Sequence, residues 1–303
     1  MIQPTFIAGV RIAAFAALAT LGGLSQAGEL DRIRDAKSIT IAHRDASVPL
    51  SYVDDQQRPM GYAVEICQRI AEAIKQELKL PSLEVKYLAV TSASRIPTIA
   101  EGKASLECGS TTNTAERRKQ IDFTIPHFIA SSRFIVRADS HIDRVEDLAG
   151  RTVVSTKGTT NIKTLERVNN DKILGMKIIA ASDHAQAFSM VADGRADAFA
   201  MDDILLYGLR ATSGNPAKYA VIGKPMTIEP YAIMLPKDDP AFKKVVDQEM
   251  RRLIQSGEIN QLYDKWFLKP IPPKGITLDL RMPFMLRESF KFPSDKVGDL
   301  VIN

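Results

Sequence analysis

The chain has 303 residues, 45% hydrophobic and 25% charged, which suits two ordinary globular domains and excludes a chain disordered over its length. Its formal net charge of +4, with acidic and basic residues interleaved, is too mild for a nucleic-acid binder, and there is no long Lys/Arg run or basic–aromatic stripe. The four histidines are scattered and no Cys/His cluster has metal-ligand spacing, so no metal or other cofactor is expected.

Arg11 is the only charged residue in the first 28. After it run Ile12-Ala-Ala-Phe-Ala-Ala-Leu-Ala-Thr-Leu21 and then Ser25-Gln26-Ala27, a short apolar stretch followed by a small-x-Ala site. This is the layout of a secretory signal peptide spanning residues 1–27, cleaved after Ala27. The alternatives are a membrane anchor or a buried helix. The apolar run falls short of the roughly 20 residues that a spanning helix needs, and it lacks a basic stop-transfer flank. A soluble, exported protein is therefore expected.

From there strand-like and helix-like runs alternate. Ser38–His43 reads as a strand, and Ala63, Cys67, Ile70, Ala71, Ile74 and Leu78 recur at helical spacing. Leu83–Leu88 is a second strand, a short helix starts near Pro97 and stops at Gly102, and Ala104–Cys108 is again strand-like. Cys67 falls on the apolar helical face and Cys108 in the strand-like run. Export permits a disulfide without requiring one, and two buried free thiols are the expectation.

The pattern restarts at Arg151–Ser155, with helices near 160–169 and 184–193 and strands near 176–180, 196–200 and 219–222. Two extended runs, Phe128–Val136 and Tyr231–Leu235, flank this smaller unit and suit a chain that leaves one lobe and returns to it. Two helices follow within Pro240–Phe267, and Pro270, Pro272 and Pro273 open an irregular tail. The expected fold class is α/β, with two lobes joined by a two-strand hinge. The first lobe comprises residues 28–136 and 233–303, and the second residues 137–232. Such folds bind ligand between the lobes, near the C-terminal ends of the strands.

Four polar clusters sit beside predicted strand ends. His43-Arg44-Asp-Ala-Ser47 offers Arg44, a planar fork of donors for a carboxylate; the bland alternative is a solvated loop. Thr91-Ser92-Ala-Ser-Arg95 offers a hydroxyl and a second fork, or a helix cap with a surface arginine. Glu107-Cys-Gly-Ser110-Thr-Thr112-Asn-Thr-Ala-Glu-Arg117-Arg118 is the most specific. Hydroxyls and backbone N–H groups follow a strand, and Arg117 lies on the helix expected next. Ser155-Thr-Lys-Gly158-Thr-Thr160-Asn161 is a further anion cradle at a helix start, without the Gly-Lys-Ser/Thr order of a nucleotide-binding loop. His184 and Asp202 each begin a helix, where they can contact a ligand or serve as ordinary helix-start residues. Together these groups supply three arginines, several hydroxyls, a histidine and a carboxylate. That inventory fits a ligand with two negative groups and one positive group, because a buried charge left unpaired costs several kcal/mol.

Over nearly the whole chain these segments resemble the extracellular solute-binding proteins of the polar amino acid class, which serve ABC-type importers. The resemblance is carried by His43–Tyr52, Thr91–Pro97, Glu107–Asn113, Gly158–Thr160, Ala181–His184, Met201–Asp203, Asp264–Phe267 and Pro270–Lys274. It implies that Arg117, helped by Ser110, Thr112 and the N–H groups near Thr160, grips an α-carboxylate, and that Asp202 holds the α-ammonium. In the branch for acidic ligands, Arg44, Ser92, Arg95 and His184 meet the side-chain carboxylate. Ser105 departs from the aspartate of many relatives, at a turn rather than at the ligand. The implied protein is a periplasmic monomer that binds glutamate or aspartate and delivers it to membrane subunits. The alternatives are a dehydratase-type enzyme on the same fold, a sensor module, or a binder of another polar amino acid such as glutamine.

Overall fold

The alternation of short apolar strands with amphipathic helices builds two sheets, each covered by helices and each receiving the chain in turn. The structure, a computed structural model, describes residues 28–298 and 300–301, so the expected signal segment lies outside the described residues. None of the described helices is long and apolar enough to cross a membrane.

The first lobe opens with α1 (Glu29–Ala36) and β1 (Ser38–His43), followed by a small antiparallel sheet of β2 (Ala46–Ser47), β3 (Ser51–Val53) and β4 (Pro59–Met60). Helix α2 (Tyr62–Glu77) buries Ile66, Cys67, Ile70, Ala71 and Ile74, the stripe its periodicity dictates. Then come β5 (Glu84–Ala89), α3 (Arg95–Ala100), β6 (Leu106–Cys108), a single 3-10 turn at Arg117–Lys119 and β7 (Asp122–Phe123). That single turn replaces the helix expected to carry Arg117; Pro126 and the short β7 leave little length for more than one turn.

Strand β8 (Phe128–Ala130) leads out, and β9 (Ser132–Arg137), β10 (Thr152–Thr156), α4 (Thr160–Asp171), β11 (Lys177–Ala181), α5 (His184–Ala192), β12 (Ala198–Asp202), α6 (Asp203–Thr212) and β13 (Tyr219–Ile222) form the second lobe. Strand β14 (Thr227–Tyr231) leads back to β15 (Met234–Leu235), α7 (Pro240–Gln255) and α8 (Glu258–Phe267). The tail carries α9 (Phe284–Ser289) and β16 (Leu300–Val301). Asp239 caps α7 by accepting from the Phe242 N–H at 2.9 Å, with Pro240 in the first turn, where its missing N–H costs nothing.

The first sheet has strand order β5-β1-β6-β15-β7 and the second β11-β10-β12-β9-β13. In each, three strands run parallel, and the returning or outgoing strand pairs antiparallel. Strand β9 pairs with β12 and β13, so Ser132–Arg137 belongs to the second sheet and the chain crosses at Ser131, ahead of the 136/137 boundary read from the sequence. The apolar run is continuous from Phe128 to Val136, and nothing in it marks the crossing. The hinge pair is β8 with β14, antiparallel, and β16 adds a third strand on the far edge of β14.

Cys67 and Cys108 form a disulfide, their Cα atoms 6.3 Å apart, which corrects the expectation of two free thiols. Helix α2 packs directly on β6, and this packing brings together two fully buried residues 41 positions apart. The bridge pins the helix to the strand that ends in Gly109 and Ser110.

The lobes meet backbone to backbone at two glycines. A Cβ at Gly208 of α6 would lie 2.1 Å from the Val48 carbonyl oxygen of the first lobe, and one at Gly158 would lie 2.7 Å from the Ala93 Cα. Only glycine permits both approaches.

Closing a loop of this length removes chain entropy worth about 4 kcal/mol from the unfolded state. Replacing both cysteines by alanine is therefore expected to lower the unfolding free energy by about that amount, read from denaturant titration of oxidised wild type against the double variant.

Candidate functional site

Every residue singled out from the sequence sits at a strand end or a helix start that faces the other lobe. Arg44 follows β1, Ser92 follows β5, Arg95 opens α3, and Ser110 and Thr112 follow β6. Thr160 opens α4, His184 opens α5, Asp202 ends β12, and Arg117 begins the 3-10 turn. All except Thr160 are buried, and Arg44 and Arg95 are each only 2% exposed. A solvated loop arginine is thereby excluded at both positions.

Arg95, Ser110, Thr112, Thr160, His184 and Asp202 line one enclosed cavity together with Thr159, Met201 and Leu205. It is collapsed between the closed lobes, with about 190 Å3 of interatomic space and no room for a water molecule. A wider cleft with about 540 Å3 of room for water opens beside it and shares Thr112 and Thr160; Arg117, Gly158 and Glu229 line this second space. Arg44 and Ser92 line neither space, but Arg44 feels the charge of Arg95 and its own charge is felt at His184.

The arginines are only partly used. Arg95 Nη1 donates to the Ser110 carbonyl at 3.0 Å. Arg117 Nη1 donates to the Thr112 carbonyl at 2.9 Å, and its Nη2 reaches the Gly158 carbonyl of the other lobe at 3.3 Å. Arg44 Nε and Nη1, Arg95 Nε, Ser92 Oγ and His184 Nε2 are buried without a hydrogen-bond partner. Leaving such groups unpaired costs about 1–3 kcal/mol each, more for charged ones. One acceptor, Glu107 Oε1, is unpartnered among them, and the guanidinium donors outnumber it, which suits an acceptor-rich ligand.

Burial, with the neighbouring Arg95 charge, lowers Arg44 and Arg117 to about 10, which leaves both cationic at neutral pH. Burial, reinforced by Arg44 and Arg95, pushes His184 well below its usual value, so the ring is neutral. Its Nδ1 lies 2.9 Å from Thr156 Oγ1. Burial and the Glu229 charge raise Asp202 to about 8, against hydrogen bonds donated by Tyr231 Oη and by Asn161 Nδ2.

Four residues at the site were not singled out from the sequence. Glu107, fully buried, faces Arg44 and Arg95 and accepts from Thr111 Oγ1 at 2.7 Å. Glu229 accepts from both Thr112 and Thr160, and Asn161 and Tyr231 hold Asp202. For the two glutamates a signal existed: each interrupts a short, otherwise uncharged strand, where an acid is expensive unless paired. Asn161 closes the Ser155–Asn161 cradle but was given no role of its own, and for Tyr231 there was no signal. Among the described residues no group of His, Cys, Asp and Glu has the arrangement of a metal site.

Residues 39–269 match the family described as bacterial extracellular solute-binding proteins, family 3. The chain is 44% identical over 273 residues to the L-glutamate/L-aspartate-binding protein of Pseudomonas aeruginosa, covering 90% of each chain. It is 40% identical over 291 residues to the glutamate/aspartate import solute-binding protein of Escherichia coli, covering 93% of this chain and 96% of that one. Among solved structures, a mutant of the T. maritima protein ArgBP superposes with a TM-score of 0.69 at 26% identity, covering 78% of this chain and 98% of that one.

Proposed function

The chain belongs to the bacterial extracellular solute-binding proteins, family 3, and from that premise we propose that it is the periplasmic substrate-binding component of an ABC importer for L-glutamate or L-aspartate. The observation that carries the ligand assignment is the set of unpartnered buried polar atoms on Arg44, Ser92, Arg95 and His184, the guanidinium donors above all. A neutral side chain would leave two guanidinium groups short of acceptors, whereas a carboxylate satisfies them with bidentate, charge-assisted bonds. The relatives named for glutamate and aspartate support the same choice.

In this assignment Arg44, Ser92, Arg95 and His184 meet the side-chain carboxylate. Arg117, with Ser110, Thr112 and the start of α4 at Thr160, meets the α-carboxylate, and Asp202 meets the α-ammonium. The first lobe supplies most of the anion grip, and the second brings Thr160, His184 and Asp202 over the ligand as the hinge closes. The membrane subunits then recognise the closed form. His184 and Asp202, the proton-exchanging groups singled out from the sequence, are both engaged by the ligand in this assignment, so we assign a carrier rather than a catalyst. Export through the signal segment at residues 1–27 completes the proposal.

Arg44→Ala and Arg95→Ala are each expected to weaken L-glutamate by about 30-fold or more, since truncating one side of a buried charged hydrogen bond costs about 2–5 kcal/mol. L-glutamine should lose far less. Arg117→Ala should weaken both ligands alike. Calorimetric titration separates these patterns, and equal losses for both ligands in the Arg44 and Arg95 variants would sink the side-chain assignment.

Protons give a second check. In the closed free site Asp202 titrates near 8, and an adjacent ammonium lowers that value. At pH 7 binding therefore releases a proton, and affinity falls as pH drops from about 8 toward 6. Titrations in two buffers of different ionisation heat should differ in wild type and agree in Asp202→Asn. Closure is tested at Gly208: with saturating L-glutamate, wild type should contract by X-ray scattering, while Gly208→Ala should stay extended and bind more weakly.

A further inference from the structure

Glu229 is 3% exposed on the hinge strand β14, and one of its oxygens collects a hydroxyl from each lobe. Thr112 Oγ1, of the first lobe, donates to Glu229 Oε2 at 2.7 Å, and Thr160 Oγ1, of the second, donates to the same atom at 2.9 Å. Both threonines line the enclosed cavity, whereas Glu229 stands behind them in the wider cleft. A hydroxyl has one hydrogen and two lone pairs. With the hydrogen spent on a carboxylate in a charge-assisted bond, the oxygen has only lone pairs left to offer a ligand. Toward a carboxylate these hydroxyls are therefore poor neighbours, and the threonines serve it only through their backbone.

The same end of the cavity holds Asp202, whose two oxygens each already accept one bond, from Tyr231 and from Asn161. Once Asp202 has released its proton, Thr112 Oγ1, Thr160 Oγ1 and the Asp202 carboxylate form an acceptor-only corner, and an ammonium group carries three N–H donors. We propose that Glu229 is the positioning residue for amine selectivity: by fixing the hydroxyls of Thr112 and Thr160 as acceptors, it makes the site demand a ligand with an α-ammonium and reject a dicarboxylate without one. This rests on the amino-acid assignment made for the cavity. Glu229 touches the ligand only through the two threonines.

The test compares L-glutamate with glutarate, which has the same carbon chain and two carboxylates but no amine. Both are titrated calorimetrically into the full mature protein, as wild type and as Glu229→Gln, whose amide can donate as well as accept. Wild type should prefer L-glutamate, and Glu229→Gln should shrink that preference at least about tenfold, chiefly through weaker L-glutamate binding. A parallel loss of both ligands, or an unchanged preference, would overturn the role of Glu229 while leaving the amino-acid assignment standing. Wild type that binds neither ligand would overturn the assignment and this inference with it. Should Glu229→Gln fail to fold, Thr160→Val is measured the same way: selective loss of L-glutamate supports the role, and equal loss of both ligands overturns it.

Discussion

Three guanidinium groups buried around one closed cleft set the terms for everything else in the molecule. Arg44, Arg95 and Arg117 cannot be deprotonated cheaply, and taking each from water costs several kcal/mol unless charge and hydrogen bonds are returned. The protein returns part of that through Glu107, Glu229 and the carbonyls of Ser110, Thr112 and Gly158. It holds back the rest, leaving donors of Arg44 and Arg95 unmatched. In the proposed assignment a ligand's carboxylates make good that shortfall. Asp202, held protonated by burial, is the mirror image, a carboxyl waiting for a cation.

Such a site needs an architecture that assembles groups distant in sequence and excludes water around them. Parallel strands supply the first requirement, because candidate residues lie at or just beyond the ends of β1, β5, β6, β10 and β12. Closure supplies the second. Gly158 and Gly208 let the two backbones touch, so the cavity is walled without side chains that would have to move aside.

Most of the fold was legible because its periodicities are strong. Strands at Ser38, Thr152 and Ala198 and helices at Tyr62 and Thr160 follow from patterns a few residues long. The candidate residues were legible because arginines and hydroxyls clustered beside strand ends. Four features escaped, each for a physical reason. The disulfide depends on how α2 lies on β6, a tertiary fact that spacing does not carry. The 3-10 turn at Arg117 depends on the room left before β7. The crossing at Ser131 hides inside one apolar run that serves two sheets. Glu229 looks like any acid in a short strand until Thr112 and Thr160, which lie far from it in sequence, are seen to share one of its oxygens.

The tail beyond the family region adds a mechanical element. Leu300 and Val301 pair with Ile228 and Thr227, on the strand that carries Glu229. The approach to that strand is moored on the first lobe, where Asp295 meets Lys243 at 2.8 Å and accepts from Asn113 Nδ2 at 3.0 Å. Two strands flex as a ribbon, and a third laid along one of them acts like an added leaf in a spring. Opening must bend all three or peel the last one away. Residues beyond the family-matched region thus bear on the stiffness of the joint, and through the balance of open and closed forms on affinity.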